Sequence, residues 1–577
     1  MFRYALRRAL TQRLGNLITP SAPFQCRQWP SVYPSCRRVH DNLSNGLPRI
    51  HDVVLPENDT IYALSSGSGR AGIAVMRITG PGCLDVYRGL CPSKAPPKPR
   101  YAAVRTLFEP GSIDASGTNI VDSDALLLYF PSPKTVTGED VLELHVHGGF
   151  ATVKAVLSAI RKCSSAGTIR YAEPGEFTRR AFLNGRLDLA QVESLGDTLA
   201  AETEQQRRAA VRGNSGVLGK TYDSWREQLL LARGEIEALI DFSEDQHFDE
   251  SPAELLTNVT RLVGDMLHSI QLHKLGSQRS ELLRNGIRIA LLGPPNAGKS
   301  SLMNQIVGRE ASIVSAEAGT TRDVIEASLD VRGYLCSFAD TAGIRTKASN
   351  SIGHLDCPTS PTIGFIEEEG IRRARQKALD SDVIIVLASV EMAETGRYRI
   401  SYDAETLRLA AGAQQCLVAV NKTDLVSPDS LKRLIQDFKS SALADIGGLR
   451  DAEPLAISCK AAVSPPAAGL TDAGGIHTLS EKLAESFSRL TSLPDDMQHL
   501  LGVTERQSQL LCECEHHLED FMAEARKTDP YDEPDVVLAA EHLRLAALRL
   551  ASITGRGESG DVEDVLGVIF EKFCVGK

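Results

Sequence analysis

The sequence has no run of about 20 uninterrupted apolar residues, the length that a membrane-spanning helix requires. Its 12 cysteines lack the dense spacing of a disulfide framework, so we expect free thiols. It also lacks a positive net charge. The formal value of −11 disfavours long-range attraction of RNA, so any RNA binding would need a local basic patch. The composition is that of a globular protein, and 577 residues are enough for three or four domains.

The first forty residues contain no lysine, aspartate or glutamate, but they contain seven arginines and several serines. This composition is typical of a mitochondrial transit peptide, and the missing uncharged apolar core argues against a secretory signal. We expect residues 1–56 to be a transit peptide and linker, which places the protein in the mitochondrial matrix. A plain basic tail is the alternative.

Hydrophobic periodicity predicts a multidomain chain. An α+β region is followed by long helical periodicity, by short aliphatic runs that alternate with helices, and again by helical periodicity. The alternating part predicts a parallel, doubly wound α/β sheet inserted into a discontinuous helical domain. The predicted strands of this sheet are Ile287–Leu292, Leu335–Ala339, Val383–Ala388, Cys416–Val420 and Pro454–Ile457. The predicted domains are 57–187 (α+β), 188–284 and 496–577 (helical), and 285–495 (α/β).

The segment GPPNAGKS matches the phosphate-binding loop pattern G-x-x-x-x-G-K-[ST], directly after an aliphatic strand and before a helix-like segment. In such a loop, backbone N–H groups wrap the phosphates, Lys299 contacts the β- and γ-phosphates, and the Ser300 hydroxyl coordinates Mg²⁺. The predicted nucleotide contacts here are Asn296, Ala297, Gly298, Lys299, Ser300 and Ser301.

Two further segments complete a predicted phosphate and magnesium site. In DTAG, Asp340 is predicted to hold Mg²⁺ through water, while the Gly343 N–H senses the γ-phosphate. In the upstream segment GTTRD, Thr321 can complete the Mg²⁺ shell in the triphosphate state. The predicted contacts in these segments are Thr320, Thr321, Asp340, Thr341, Ala342 and Gly343.

The segment NKTD follows a predicted strand and selects the base. The Asp424 carboxylate can accept hydrogen bonds from the guanine N1–H and exocyclic amine, which adenine does not offer, so the substrate is GTP and not ATP. The segment SCK after the last strand suits a loop whose backbone N–H meets the guanine carbonyl. The predicted contacts are Asn421, Lys422, Thr423, Asp424, Ser458, Cys459 and Lys460.

Several segments resemble the MnmE family of tRNA modification GTPases, also called TrmE. The resemblance covers essentially everything after the presequence. It rests on Gly293–Ser301, Ala318–Val324 and Asp340–Arg345 in the G domain, and on Asp59–Thr79, Gly138–Gly149, Pro174–Gln191 and Phe573–Lys577 in its flanks. The resemblance implies an N-terminal α+β folate-binding and dimerisation domain, a discontinuous α-helical domain that ends in Cys-Val-Gly-Lys, and an inserted Ras-like α/β P-loop G domain.

The family's function is implied on the same footing. The resemblance implies a homodimer whose G domains pair transiently. It also implies a flavin-dependent partner subunit of the MnmG type, which binds the FAD. A tetrahydrofolate derivative supplies one carbon for a carboxymethylaminomethyl-type group on C5 of the wobble uridine in mitochondrial tRNA. The matching folate residues are Arg77, Glu143, Arg186 and Lys577, where Arg186 replaces the lysine common in bacterial members. Cys574 is either a nucleophile or a packed thiol.

The sequence shows neither an arginine finger in the phosphate-binding loop nor a glutamine directly after DTAG, so these motifs do not identify the hydrolytic machinery. The resemblance implies it instead. The family arrangement suggests a K⁺ ion that neutralises the developing charge together with Lys299. The matching K⁺ ligands are Asn296, Ser315, Glu317 and Thr320, of which Ser315 would also contact the nucleotide. Glu367 would orient the attacking water.

Residues 346–362 enlarge the segment after DTAG relative to bacterial members, and their Ser, Thr, Pro and Gly content predicts a mobile loop. The enlargement is either a true insertion or a gene-model error. Three consecutive glutamates follow, and alignment on the Gly370-Ile371 pair selects Glu367 among them.

Three other interpretations are weighed against these predictions. A ribosome-assembly GTPase should carry an RNA-binding module such as a KH domain, and a scaffold would bind GTP without sustained turnover. The cluster of Cys512, Cys514, His516 and His517 resembles a metal site, but these residues lie in a predicted helix, where side chains two residues apart diverge.

Overall fold

The computed structural model describes the chain from Asp59 onward. The exceptions are residues 112–118, 243–251, 316–327, 339–375, 377–378, 395, 464–471, 473, 528–533, 556–568, 570–572, 574–575 and 577. The predicted transit peptide therefore lies outside the described residues.

The N-terminal part is a six-stranded sheet in the order β3-β4-β5-β2-β1-β6, in which only β1 and β6 are parallel neighbours. Its elements are β1 (Thr60–Leu64), β2 (Ile73–Thr79), α1 (Cys83–Leu90), β3 (Ala103–Phe108), β4 (Ile120–Phe130), β5 (Val141–His147), α2 (Phe150–Arg161), β6 (Ile169–Tyr171) and α3 (Glu176–Leu183).

Strict alternation in β2 and β5 gives this sheet two different faces. Met76 and Leu144 are fully buried and belong to one core with α1 and α2. Side chains one residue away point to the opposite face because successive strand residues alternate. Arg77 and Glu143 are on that face, half-buried and directly opposite each other in register.

A buried ionic cluster holds α3 against the sheet. The Arg180 guanidinium lies 2.6 Å from Asp59 and 3.2 Å from Glu176, and Arg170 pairs with the same two carboxylates. Burial raises the pKa of Glu176, but hydrogen bonds from Arg170 and from the Glu173 N–H outweigh it, so the net pKa lies below the usual 4.5. The cluster therefore contributes stability above about pH 4.5, and this stability is lost as pH falls through the lowered folded-state pKa.

The helical part comes from two separated chain segments. Its elements are α4 (Leu189–Ala200), α5 (Glu204–Gly213), α6 (Val217–Phe242), α7 (Pro252–Asn285), a 3₁₀ segment (Asp495–Gly502), α13 (Glu505–Ala525) and α14 (Val536–Thr554). Capping boxes begin α4, α5 and α13, each with Asp or Thr at the N-cap and Gln three residues later. Among the described residues, no helix combines the length and the apolar character needed to cross a bilayer.

The two segments share one hydrophobic core. Tyr222 and Ile270 of the first segment and Leu511 and Leu550 of the second are all fully buried in it. The helices that precede and follow the α/β domain in the sequence therefore form one structural unit, which is the discontinuous helical domain predicted from the sequence.

The α/β part is an eight-stranded sheet in the order β14-β13-β11-β7-β10-β9-β8, with β12 paired to β11. Its strands are β7 (Ile287–Leu292), β8 (Ala311–Ser315), β9 (Ser328–Val331), β10 (Tyr334–Phe338), β11 (Val383–Met392), β12 (Tyr398–Ser401), β13 (Gln415–Asn421) and β14 (Leu455–Ala456). Its helices are α8 (Lys299–Gln305), α9 (Ala404–Ala411), α10 (Pro428–Phe438), α11 (Cys459–Val463) and α12 (Ile476–Thr491). Shorter helical segments lie at Ile306–Glu310, Thr423–Leu425 and Lys439–Leu443.

This sheet is mixed, which differs from the parallel sheet expected from the sequence. The five predicted strands are mutually parallel, whereas β8, β9 and β12 pair in antiparallel fashion. The three additional strands are four or five residues long and lack the continuous aliphatic runs by which buried parallel strands are recognised.

Replacement of Arg180 by methionine should destabilise the N-terminal sheet, because it leaves Asp59 and Glu176 buried with one cation fewer. Loss of one partner of a buried pair costs about 3–5 kcal/mol, and we expect the lower end because Arg170 still pairs with both carboxylates. Native-state hydrogen exchange of peptides that cover β1 and α3 measures the change. Arg88→Met, which removes an exposed pair with Asp85, is the matched control; equal losses of protection in the two variants would contradict the assigned role of the cluster.

Candidate functional site

The phosphate-binding loop joins the central strand β7 to α8. Three residues in it have left-handed backbones: Gly293 with φ +148°, Asn296 with φ +61° and Gly298 with φ +99°. A Cβ at Gly293 would lie 2.2 Å from the Leu387 carbonyl, so only glycine fits there. The Lys299 ammonium donates to the carbonyls of Gly293 and Pro294 at 2.8 and 2.9 Å, which keeps its charge inside the loop.

Asn421 connects the phosphate-binding loop to the predicted base loop. Its side chain is buried, its Nδ2 donates to the Ala297 carbonyl at 2.8 Å, and its Oδ1 accepts from the Cys459 N–H at 3.2 Å. A Cβ at Gly298 would come within 2.2 Å of the Asn421 Nδ2, so the second glycine of the motif also makes room for this link. One amide therefore fixes the spacing between the two loops.

The base loop is held by two hydroxyl groups. The Ser458 hydroxyl donates to Asp424 Oδ1 at 2.6 Å, and the Thr423 hydroxyl donates to the Ile457 carbonyl at 2.8 Å. Asp424 and Lys460 are exposed, whereas Ser458 and Cys459 are buried. Burial raises the pKa of the Cys459 thiol to about 11, so the thiol is neutral at physiological pH. The loop thus presents the exposed Asp424 carboxylate, which the Ser458 hydroxyl orients.

Glu391 supports this loop but is not part of any motif. Lys422 has a left-handed backbone with φ +63°, and its ammonium lies 3.1 Å from Glu391. Partial burial raises the pKa of Glu391, but the Ser389 hydroxyl and the Lys422 ammonium outweigh it and lower the net pKa. Sequence reasoning missed Glu391, because it lies on β11 and no local pattern links it to the NKTD segment.

A second candidate site lies on the N-terminal sheet. The Arg77 Nη2 and Nε atoms lie 2.9 and 3.0 Å from Glu143 Oε1. His145, two residues beyond Glu143 on the same face, places its Nε2 3.5 Å from Glu143 Oε2. That nitrogen is buried and has no hydrogen-bond partner among the described residues. Sequence reasoning missed His145, although its i+2 spacing from Glu143 on a strand was a usable signal.

The C-terminal end of the chain returns to this sheet. The Ser65 hydroxyl donates to the Gly576 carbonyl at 2.9 Å, and Gly576 packs so closely on Leu64 that a Cβ would meet its carbonyl at 2.2 Å. The next residue pair along β1 and β2 is Ala63 and Arg77. Arg186 is exposed and donates to the Thr135 carbonyl at 2.9 Å, and no hydrogen bond or ion pair joins it to Arg77 or Glu143 in the described part.

Three further predicted site residues lie in the described part of the chain. Ser300 and Ser301 are exposed at the start of α8, and Ser315 ends β8. The predicted residues outside the described part are Glu317, Thr320, Thr321, Asp340, Thr341, Ala342, Gly343, Glu367, Cys574 and Lys577.

Comparison with known proteins agrees with this arrangement. Residues 60–186 match the profile described as the N-terminus of the GTP-binding protein TrmE, and residues 189–574 match that of the MnmE helical domain. The 5-taurinomethyluridine-[tRNA] synthase subunit GTPB3, mitochondrial, of Danio rerio is 36% identical over 90% of this chain and 94% of its own length.

Two more relatives, one bacterial and one from yeast, show comparable similarity. The tRNA modification GTPase MnmE of Parvibaculum lavamentivorans is 38% identical over 90% of this chain and all of its own length. The mitochondrial tRNA modification GTPase MSS1 of Saccharomyces cerevisiae is 34% identical over 90% of this chain and 94% of its own length. The chain belongs to the MnmE family. As an MnmE-family protein it is a multidomain GTPase, in agreement with the fold class and the enzyme class expected from the sequence.

Asp424→Asn should reverse the base preference of this MnmE-family G domain, because the amide presents a donor where the carboxylate accepts. We expect GTP affinity to fall on the order of 100-fold, about 2.7 kcal/mol, with xanthosine triphosphate bound in its place. Calorimetric Kd values for both nucleotides measure the change. Lys460→Ala, at an exposed side chain of the neighbouring loop, is the control and should keep the wild-type preference; an Asp424→Asn protein that still prefers GTP would show that Asp424 does not contact the base.

Proposed function

We propose that this protein is a GTP hydrolase that acts in modification of C5 of the wobble uridine in mitochondrial tRNAs. The product is a carboxymethylaminomethyl-type group, the one-carbon donor is a tetrahydrofolate derivative, and an MnmG-type subunit contributes FAD. The site of action is the mitochondrion, in its matrix. The names of the relatives support this proposal, since all three are tRNA modification proteins and two are mitochondrial.

One structural observation carries the proposal for the folate site. Gly576 lies against Leu64 and Ser65, so the C-terminal tail reaches the strand next to the Arg77–Glu143 pair. Gly576, one residue before Lys577, thus packs on the sheet that carries Arg77 and Glu143. This return is what a site shared by Arg77, Glu143 and the terminal Lys577 requires.

The chemistry of these residues suits a folate. A pterin ring offers an amidine-like edge that a carboxylate such as Glu143 can bind, and its glutamate tail needs cations. The Arg77 guanidinium orients the Glu143 carboxylate. Beside it, the buried Nε2 of His145 has no hydrogen-bond partner among the described residues, so a ligand could use it. We assign pterin binding to Glu143 and Arg77, and binding of the tail to the exposed Arg186 and to Lys577.

The nucleotide site is assigned along the same lines. Lys299 would contact the β- and γ-phosphates, Ser300, Thr321 and Asp340 would hold Mg²⁺, and Asp424 would select guanine. K⁺, bound by Asn296, Ser315, Glu317 and Thr320, would supply the positive charge that the transition state needs. Glu367 orients the attacking water. Asn296 fits this role because it is exposed in the phosphate-binding loop, where its backbone is left-handed with φ +61°.

The protein works as a homodimer through its N-terminal domain, with transient pairing of the G domains. We retain the predicted domain boundaries 57–187, 188–284, 285–495 and 496–577. The element bounds support them, because α3 ends at Leu183, α7 ends at Asn285 and α12 ends at Thr491.

The function is tested by mass spectrometry of wobble nucleosides from mitochondrial tRNA. Cells that lack this protein should lose the C5 modification, and the wild-type gene should restore it. Glu367→Ala should not restore it, whereas the neighbouring Glu368→Ala should. Unchanged nucleosides together with a ribosomal subunit defect would favour the ribosome-assembly alternative.

The mechanism of hydrolysis is tested by changing the monovalent cation. We expect kcat in KCl to exceed kcat in NaCl of equal ionic strength on the order of 100-fold, the usual effect of one preorganised charge-stabilising group. Asn296→Ala should remove this difference, and Glu367→Ala should abolish steady-state turnover while GTP binding persists.

Two outcomes would contradict this mechanism. Equal turnover in Na⁺ and K⁺ would exclude the cation role, and an inactive Glu368→Ala variant beside an active Glu367→Ala variant would show that the alignment across residues 346–362 has slipped. A single turnover without steady-state hydrolysis in the wild type would favour a GTP-dependent scaffold.

A further inference from the structure

A cluster of three metal-ligand side chains lies between α13 and α14, far along the chain from the G-domain motifs. His517 and Asp520 are three residues apart on α13 and therefore share one face of that helix. His542 comes from α14, which packs against it. One ligand atom from each of the three residues lies within 4.8 Å of the others.

One imidazole nitrogen of each histidine has no hydrogen-bond partner in the part of the chain that the structure describes. The Nδ1 atoms of His517 and His542 are buried and make no hydrogen bond within the described residues. The His542 Nδ1 lies 3.8 Å from Asp520 Oδ2, which is too far for a hydrogen bond. Two buried, unsatisfied nitrogens beside one carboxylate are unfavourable by themselves, and a cation between them would satisfy all three groups.

Charged side chains of both helices lie around the cluster. The charge of Arg549 is balanced by Glu513 at 3.0 Å. His516 is also close, with its Nε2 3.7 Å from Asp520 Oδ2, but its side chain is exposed.

We propose that His517, Asp520 and His542 bind a divalent transition metal, of which Zn²⁺ suits the donor set best. Two imidazoles and a carboxylate select such ions, whereas Mg²⁺ and Ca²⁺ prefer all-oxygen sites. Tetrahedral Zn²⁺ with bonds of ~2.1 Å places ligand atoms ~3.4 Å apart, so small side-chain rotations close the present spacing, and water completes the shell. The ion links α13 to α14 and so stabilises the helix pair that precedes the C-terminal tail.

This set differs from the Cys/His cluster that the sequence suggests. Burial raises the pKa of Cys514 to about 12, so its thiol is not a ready thiolate ligand, and Cys512 is exposed. Only His517 belongs to both sets. The two alternatives can therefore be separated by mutation.

The test is calorimetric titration of Zn²⁺ into the full-length protein after removal of metals with EDTA, in excess Mg²⁺. We expect one equivalent of Zn²⁺ to bind, with affinity reduced at least 10-fold in His517→Ala, His542→Ala and His542→Gln. Asp520→Asn should also weaken binding. The matched controls His516→Ala and Cys512→Ser change exposed residues of the same helix and should bind as the wild type does. Zn²⁺ should also raise the Tm of the wild type but not that of His542→Gln.

Circular dichroism and GTP turnover show whether each variant is folded. The proposal is overturned if the wild type binds no stoichiometric Zn²⁺. It is equally overturned if Cys512→Ser or His516→Ala abolishes binding while His542→Gln retains it.

Discussion

The arrangement of this molecule depends on one hydrophobic core that two distant chain segments must build together. Tyr222 and Ile270 before the G domain pack into the same core as Leu511 and Leu550 after it. Neither segment can bury its apolar face alone, since amphipathic helices gain their stability from tertiary packing. The inserted domain must therefore begin and end close to the same place.

The junction between the helical and G domains shows how this constraint is met. Arg284, at the end of α7, donates to the Val503 carbonyl at 2.8 Å and pairs with Asp197 at 2.7 Å. Gly213 and Gly502 approach so closely that a Cβ on Gly502 would meet the Gly213 Cα at 2.4 Å. The chain enters and leaves the G domain through a packed joint.

The same joint braces the nucleotide-binding sheet. The Gln205 N–H donates to the Gly333 carbonyl at 3.1 Å, which holds α5 against the turn between β9 and β10. Beside that turn, the ring of Tyr334 packs on Phe487 and touches both the helical core and the G-domain core. A rearrangement of the G domain on hydrolysis would meet the helical domain here. Gly576, near the end of the chain, lies against Leu64 of β1, the strand that pairs with the one carrying Arg77.

The sequence by itself determined the class of the protein, the inserted arrangement of its domains and the phosphate- and base-binding loops. These features are encoded in short segments: a glycine loop shapes its own backbone, and aliphatic runs mark buried strands wherever they pair. The tertiary structure alone decided which side chains meet across the chain. The Asn421 link to Ala297 joins residues 124 positions apart, and the Ser65 bond to Gly576 joins residues 511 positions apart. Glu391, His145 and the partners of His517 escaped sequence reasoning for the same reason. Their environments arise when strands align in register and helices pack, and periodicity along one segment does not specify which residue of another segment it will face.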